Sequence, residues 1–179
     1  MSNIRGTCCV NKSFTQHVPR NLLLMPRLTV RPVTEKNWLA ALALDVYPNQ
    51  RPFTASVERS LARAYIQPHG YIYEPMAIYG GATMIGFYCF VYQPADHSHC
   101  VLNGFFIDKT HQGRGYGRAF LTYFLTRLRH QSPSYRELLL TVHPENDVAI
   151  HLYTSCGFTK TGRLLEGEQE MRLLIDDRP

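Results

Sequence analysis

The sequence has no long apolar run, and no stretch approaches the roughly 18 residues that a membrane-spanning helix needs. We therefore expect no membrane partner. Its 45% hydrophobic and 18% charged residues exclude a disordered chain, a collagen-like fibre and a coiled coil. The five cysteines include no C-x-x-C pair, and three of them lie in apolar segments. This pattern favours free thiols in a reducing compartment, so we expect a cytoplasmic protein.

Acidic side chains are absent from the first 34 residues, which hold five of the 19 basic ones. The rest of the chain is balanced in charge, so the basic character belongs to its beginning. A nucleic-acid-binding protein carries its basic stripe on the folded body, and we therefore expect no nucleic-acid partner.

A possible metal cluster is too compact to be convincing. Asp96, His97, His99 and Cys100 lie within five positions, whereas a closed zinc site draws ligands from two separated halves. We expect no metal here and interpret the segment as a polar turn before a strand.

The hydrophobic pattern is regular from residue 27 to residue 175. It predicts one domain between a basic N-terminal arm (1–26) and a C-terminal tail (176–179). Periodicity predicts the order β-α-α-β-β-β-α-β-α-β, an α/β (α+β) fold in which helices flank a mixed sheet. The predicted strands are 28–31, 75–79, 83–92, 100–108, 137–142 and 168–175. The first helix is predicted to follow Thr34 and to include Val46.

The most informative segment is the glycine-rich turn His111-Gln-Gly-Arg-Gly-Tyr-Gly-Arg118, between a buried strand and an amphipathic helix. Its glycines permit positive φ and a close approach of the backbone to a ligand. Free N–H groups at the start of the helix, together with the helix dipole, favour a bound phosphate or pyrophosphate. The spacing matches neither a Rossmann fingerprint nor a Walker A loop, and a purely structural turn is the remaining alternative.

Two separated motifs together resemble a known family. Gln112-x-x-Gly115-x-Gly117 is similar to the coenzyme signature of the GNAT superfamily of acetyl-CoA-dependent N-acetyltransferases, and Asn146 through Phe158 is similar to its second conserved block. The resemblance implies a GNAT-like, mostly antiparallel sheet and acetyl-CoA as co-substrate. It implies that the pyrophosphate is held by Gln112, Gly113, Arg114, Gly115, Tyr116, Gly117 and Arg118.

The resemblance also implies roles for other residues. The strand backbone at Phe105, Phe106 and Ile107 would bond the pantetheine amides, and Asn146 would contact the coenzyme arm. Tyr153 would lie at the thioester and act as the general acid for the departing thiolate. Because residues 100–107 contain no acid, the general base stays open; Asp108, Glu74, His143, a water chain or an acid of the first helices are the alternatives.

The acceptor is expected to be a small amine, because the chain most resembles polyamine and diamine acetyltransferases. A polyamine needs carboxylates and aromatic faces, which Asp45, Glu58 and Glu74 with neighbouring tyrosines could supply, although these acids could equally be solvated surface charges. An antibiotic amine, a protein amine and a non-catalytic acetyl-CoA-binding module are the alternatives. A homodimer stays open.

Residues 1–24 are expected to be dispensable, because they lack periodicity and the first regular strand follows Met25. A chain that begins at Met25 should fold and keep its turnover of acetyl-CoA, measured against the full chain. Loss of coenzyme binding in a truncated chain that still melts cooperatively would instead give the arm a direct role.

Overall fold

A computed structural model describes residues 27–131 and 135–175, which form a single seven-stranded sheet with helices on both faces. The strands are β1 (Leu28–Pro32), β2 (Ile72–Gly80), β3 (Thr83–Gln93), β4 (Asp96–Ile107), β5 (Glu137–Val142), β6 (Thr159–Leu165) and β7 (Glu168–Leu174). Their order is β1-β2-β3-β4-β5-β7-β6. The pair β4–β5 is parallel and the other neighbours are antiparallel, which confirms the predicted mixed, mostly antiparallel α/β fold.

Four α-helices are α1 (Trp38–Leu42), α2 (Val57–Ile66), α3 (Tyr116–Gln131) and α4 (Asp147–Ser155). Short 3-10 turns occupy Pro48–Phe53, Pro68–Gly70 and Lys109–His111. The helix α2 begins where the Ser56 side chain accepts a hydrogen bond from the backbone N–H of Arg59. The predicted arm (1–26) and tail (176–179), with Cys8 and Cys9, lie outside the described residues.

The hydrophobic core is divided by the sheet into two clusters. The larger one packs α3, through Phe120 and Leu121, against side chains of β5 such as Leu138. The smaller one packs Ala41 and Val57, from α1 and α2, against β3 and β4. Each fully buried large apolar side chain stabilises the fold by roughly 1.5–3 kcal/mol. The two clusters therefore hold the helices firmly against the two faces of the sheet.

The predicted elements differ from the structure in several places. The order missed β6, whose side chains are mostly exposed and lack the alternation that marks a half-buried strand. The helix α1 ends at Leu42 rather than Val46, because the backbone of Asp45 bonds to Asp108 and Lys109 instead of continuing the helix. The polar segment from Asp96 is not a turn but the start of β4, where pairing with β3 and β5 satisfies its backbone.

The feature that positions the site is a separation of β4 from β5. Their ladder runs from the pair His99–Glu137 to the pair Val101–Leu139 and then stops, although both strands continue. At this point β4 contains a bulge in which Gly104 has a φ of +60°. The second half of β4 therefore remains paired with β3 while the edge that faces β5 is left without a ladder partner.

The helices in residues 27–131 and 135–175 include none that is both long and apolar enough to cross a membrane. In the same residues, no group of three or more His, Cys, Asp or Glu side chains is arranged to hold a metal ion. The cysteines Cys89 and Cys100 are buried free thiols, as the sequence predicts, and Cys156 is free and half-buried.

Candidate active site

A cleft of about 1350 Å³ opens where β4 and β5 separate. We call its two ends the α3 side, bounded by residues 111–118 and the start of α4, and the α2 side, bounded by α2 and the β6–β7 turn. A long ion pair of 3.9 Å between Arg59 and Glu166 crosses the α2 side.

On the α3 side, the glycine-rich turn has the backbone that the sequence predicts. Gly113 and Gly115 adopt φ values of +72° and +78°, which residues other than glycine rarely adopt. Within the described part of the chain, no group accepts a hydrogen bond from the backbone N–H groups of residues 113–118. These free donors lie at the positive end of the α3 dipole, an arrangement that is able to bind an anion.

The side chains of this turn contribute less than its backbone. Gln112 is held within the protein, since its Nε2 donates to the Ile107 carbonyl at 2.9 Å and its amide pairs with that of Gln50. Arg118 lines the cleft but donates to Ser155 Oγ at 2.8 Å, which ties α3 to α4. Arg114 is exposed and does not line the cleft.

The turn is fixed in place by carboxylates below it. Asp108 is buried and accepts hydrogen bonds from the backbone N–H groups of Asp45 and Thr110. Asp45 forms ion pairs with Arg51 at 3.0 Å and Lys109 at 2.8 Å. These pairs, with Lys109 first, lower the pKa of Asp45 to about 2. Both acids hold the loop structure, and neither lines the cleft.

The helix α4 brings two predicted residues to the cleft. Asn146 caps the helix, with its Oδ1 accepting from the Ala149 backbone at 3.2 Å, and this leaves its Nδ2 available to a ligand. Gly117 permits close packing, because a Cβ there would lie 3.2 Å from Leu152 Cδ2. That contact brings α4, with Tyr153, against the start of α3.

Tyr153 lies buried at the inner wall of the cleft. Burial raises its pKa well above the ordinary value, and the nearby negative charge of Glu168 raises it further. No described residue forms a hydrogen bond to its hydroxyl. The phenol is therefore protonated at neutral pH and free to donate that proton to a ligand.

The strand residues predicted to meet the coenzyme also line the cleft. The ring of Phe105 stacks on Phe120 with centroids 4.5 Å apart, while Phe106 and Ile107 are buried on either face of β4. Their backbone edge toward β5 is the one left without a ladder partner. A ligand that carries amide groups could complete that edge as a strand would.

The three acids predicted to bind the acceptor do not meet at this cleft. Asp45 and Glu58 line a second, smaller cavity of about 440 Å³ between the loop after α1 and the start of α2. Glu58 lies in the first turn of α2, where hydrogen bonds from its own backbone and from Ser56 lower its pKa. Glu74 is exposed on β2 and accepts a hydrogen bond from the Tyr92 hydroxyl at 3.1 Å.

Two carboxylates that were not predicted from the sequence line the α2 side, Glu166 and Glu168. They belong to the turn and first residue of a hairpin that was not predicted because β6 has no apolar alternation. The dipeptide Glu166-Gly167 before a strand was the available signal. Of the proposed bases, His143 packs on Phe53 with centroids 4.9 Å apart and does not line the cleft.

These features fit acetyl-CoA. The free N–H groups of residues 113–118 suit a pyrophosphate, and the unpaired edge of β4 suits the two amides of pantetheine. The open space around Gly113 and Gly115, where an added Cβ would meet no atom within 4 Å, leaves room for a large ligand. Tyr153 lies farther along the same cleft, toward Glu168.

Comparison with known proteins agrees with this fit. A model of the acetyltransferase (GNAT) family matches residues 38–158. The chain is 30% identical over 151 residues to the probable spermine N(1)-acetyltransferase of Bacillus subtilis subsp. natto (strain BEST195), with 80% of this chain and 96% of the relative covered. The same values hold for the spermine/spermidine N(1)-acetyltransferase of Bacillus subtilis (strain 168).

Among solved structures, the spermidine N-acetyltransferase from Vibrio cholerae, in complex with CoA and spermine, has a TM-score of 0.64 with this chain. It is 21% identical, and the match covers 82% of this chain and 95% of that one, which shows a shared fold. The family match and the cleft lead to one conclusion: the chain belongs to the GNAT family and is an N-acetyltransferase that uses acetyl-CoA as acetyl donor.

Proposed function

We propose that this enzyme acetylates a primary amino group of a small polyamine, with Tyr153 as general acid. The observation that carries the proposal is the 30% identity, over 96% of their length, to two spermine acetyltransferases. The α2 side of the cleft supports it, because Glu166 and Glu168 line that side and could each pair with an ammonium group. Phe53 and Tyr71 add aromatic surface there.

For the donor, we propose that the backbone of residues 113–118 binds the pyrophosphate and that the β4 edge at Phe105–Ile107 binds the pantetheine amides. Asn146 Nδ2 contacts the coenzyme arm. Gln112 acts indirectly, since its side chain fixes the end of β4 by bonding to Ile107 and Gln50. This assignment places the thioester near Tyr153, at the point where the α3 side meets the α2 side.

Acetyl-CoA supplies an activated acyl group whose leaving group is a thiolate. The Tyr153 hydroxyl donates its proton to that sulfur as the carbon–sulfur bond breaks. Because burial raises the pKa of Tyr153, the phenolate left behind is a strong base and recovers a proton at once.

A second class of acceptor is favoured by one observation. Arg63 is half-buried on the α2 side and forms no ion pair with an acid among the described residues. A guanidinium in that position would pair with a carboxylate, so an amine that also carries an acid group is the second candidate.

Homodimer formation also stays a prediction. The strand β6 forms an edge of the sheet and exposes Leu164, so this edge is a surface on which a second copy could pack.

A panel of acceptors separates these candidates. We expect kcat/KM for spermine and spermidine to exceed that for a monoamine of equal length by about tenfold or more. A polyamine can form one more ion pair with the cleft, and a tenfold ratio corresponds to about 1.4 kcal/mol for that pair. The panel should include amino acids with a side-chain amine. A higher kcat/KM for those amino acids would replace the polyamine by the acid-bearing acceptor.

A further inference from the structure

Glu168 occupies a distinct position among the carboxylates of the cleft. It is the first residue of β7 and is half-buried, whereas the Glu166 side chain is 85% exposed and Glu145 and Asp147 lie exposed at the start of α4. Only one of these four acids is thus removed from bulk solvent. A carboxylate in such a place interacts with a bound ligand more strongly than an exposed one does.

One oxygen of Glu168 is held by the sheet and the other is free. Thr141, on β5, donates its hydroxyl proton to Glu168 Oε2 in a short hydrogen bond. No described residue bonds to Oε1. Because Thr141 itself lines the cleft beyond the last β4–β5 pair, this bond directs the carboxylate to the gap between the strands.

Glu168 is also a neighbour of the proposed acid. Its negative charge is the first influence, after burial, that raises the pKa of Tyr153. Both side chains line the same cleft, Tyr153 from α4 and Glu168 from β7. The Tyr153 phenol, which can donate a proton, and the Glu168 carboxylate, which can accept one, are therefore close enough to interact electrostatically. Acetyl transfer needs both groups, because the amine loses a proton and the departing thiolate gains one.

We propose that Glu168 is the general base of the acetyl transfer and that Thr141 is its positioning residue; this inference rests on the proposed function. Glu168 Oε1 accepts a hydrogen bond from the acceptor nitrogen and takes its proton. Asp96 stands at the start of β4 and does not line the cleft, and residues 100–107 of the same strand are apolar or neutral. The base comes instead from a strand on the far side of β5.

In the proposed transfer, one bond forms, one bond breaks and two protons move. The lone pair of the free amine forms the nitrogen–carbon bond, and the electron pair of the carbon–sulfur bond leaves on sulfur. The nitrogen gives one proton to Glu168, and the sulfur receives one from Tyr153. A carboxylic acid is a far stronger acid than a phenol, so the proton on Glu168 returns to the Tyr153 phenolate by way of solvent. Both groups are then ready for another turnover.

The test replaces Glu168 by glutamine, which keeps the shape and the bond from Thr141 but cannot accept the proton. We expect kcat for the best amine of the panel to fall by roughly 10²–10⁴. The loss should be smaller for the β,β-difluoro analogue of that amine, because its attacking nitrogen is more acidic and releases the proton to water without help. Thr141→Val should produce a smaller loss, with acetyl-CoA affinity unchanged in both variants.

Glu170→Gln is the matched control. Glu170 lies two residues farther along β7, and its carboxylate is bonded by Thr161 at 2.9 Å, away from the cleft lining. Its variant should keep wild-type kcat. A wild-type rate in Glu168→Gln, or an equal loss with both amines, would overturn the role of Glu168 as a base. If wild-type enzyme acetylates no amine, the proposed function fails instead, so the two failures are distinguishable.

Discussion

Replacing Gly115 by valine is expected to abolish acetyl-CoA binding while the protein stays folded. The φ of +78° at this position costs a β-branched residue about 1–2 kcal/mol, and relaxing that strain moves the N–H donors of the turn. The added side chain would also project into the open space that the glycine leaves for the ligand. Isothermal titration with acetyl-CoA should show no binding at concentrations that saturate the wild type.

The control for this variant is Gly81→Val. Gly81 has a φ of +65° in the β2–β3 turn, and a Cβ there also meets no atom within 4 Å. It therefore carries the same backbone strain at a position that does not line the cleft, and it should bind acetyl-CoA with wild-type affinity. Unchanged affinity in Gly115→Val would remove the turn from the coenzyme site.

Replacing Tyr153 by phenylalanine is expected to lower kcat by roughly 10²–10⁴ with little change in coenzyme affinity. The variant keeps the ring and its contact with Phe158 but loses the proton donor. The loss should shrink with an acyl donor whose thiol is a better leaving group, because that thiolate needs less protonation. Since burial holds the pKa of Tyr153 above about 10, the loss should be constant between about pH 7 and pH 9.

Tyr88→Phe is the control for the ring itself. Tyr88 is another buried tyrosine whose pKa is raised by burial, but it packs on Phe120 and Phe124 and does not line the cleft. We expect its kcat to match the wild type. An equal loss with natural and activated donors in Tyr153→Phe would make Tyr153 a positioning residue, and a wild-type rate would leave it as helix packing.

The α3 side of the cleft was predictable because its geometry is local. Three glycines at a strand-to-helix junction determine where the backbone donors of residues 113–118 point, whatever the rest of the chain does. The positions of Asn146 and Tyr153 were predictable for a similar reason, since two turns of one helix fix their separation. The motif predicted that Gln112 belongs to the turn. It could not predict the side-chain hydrogen bond to Gln50, because that residue lies in a loop distant in sequence.

The α2 side was not predictable, because its charges come from distant segments. Asp45 was a reasonable acceptor ligand by type, but two cations 6 and 64 positions away in the sequence neutralise it. Glu168 reaches the cleft only because β7 pairs with β5 and the chain returns through β6. With β6 unrecognised, the position of Glu168 could not be derived from the sequence.

The most direct test of the enzyme's activity is a product balance. Purified protein is incubated with acetyl-CoA and spermine, and both free coenzyme A thiol and N-acetylated spermine are quantified over time. Acetyl transfer through this cleft predicts that the two products appear in equal amounts, with no thiol released when the amine is omitted. Tight binding of acetyl-CoA without either product, for spermine and every other amine of the panel, would instead identify a non-catalytic acetyl-CoA-binding module.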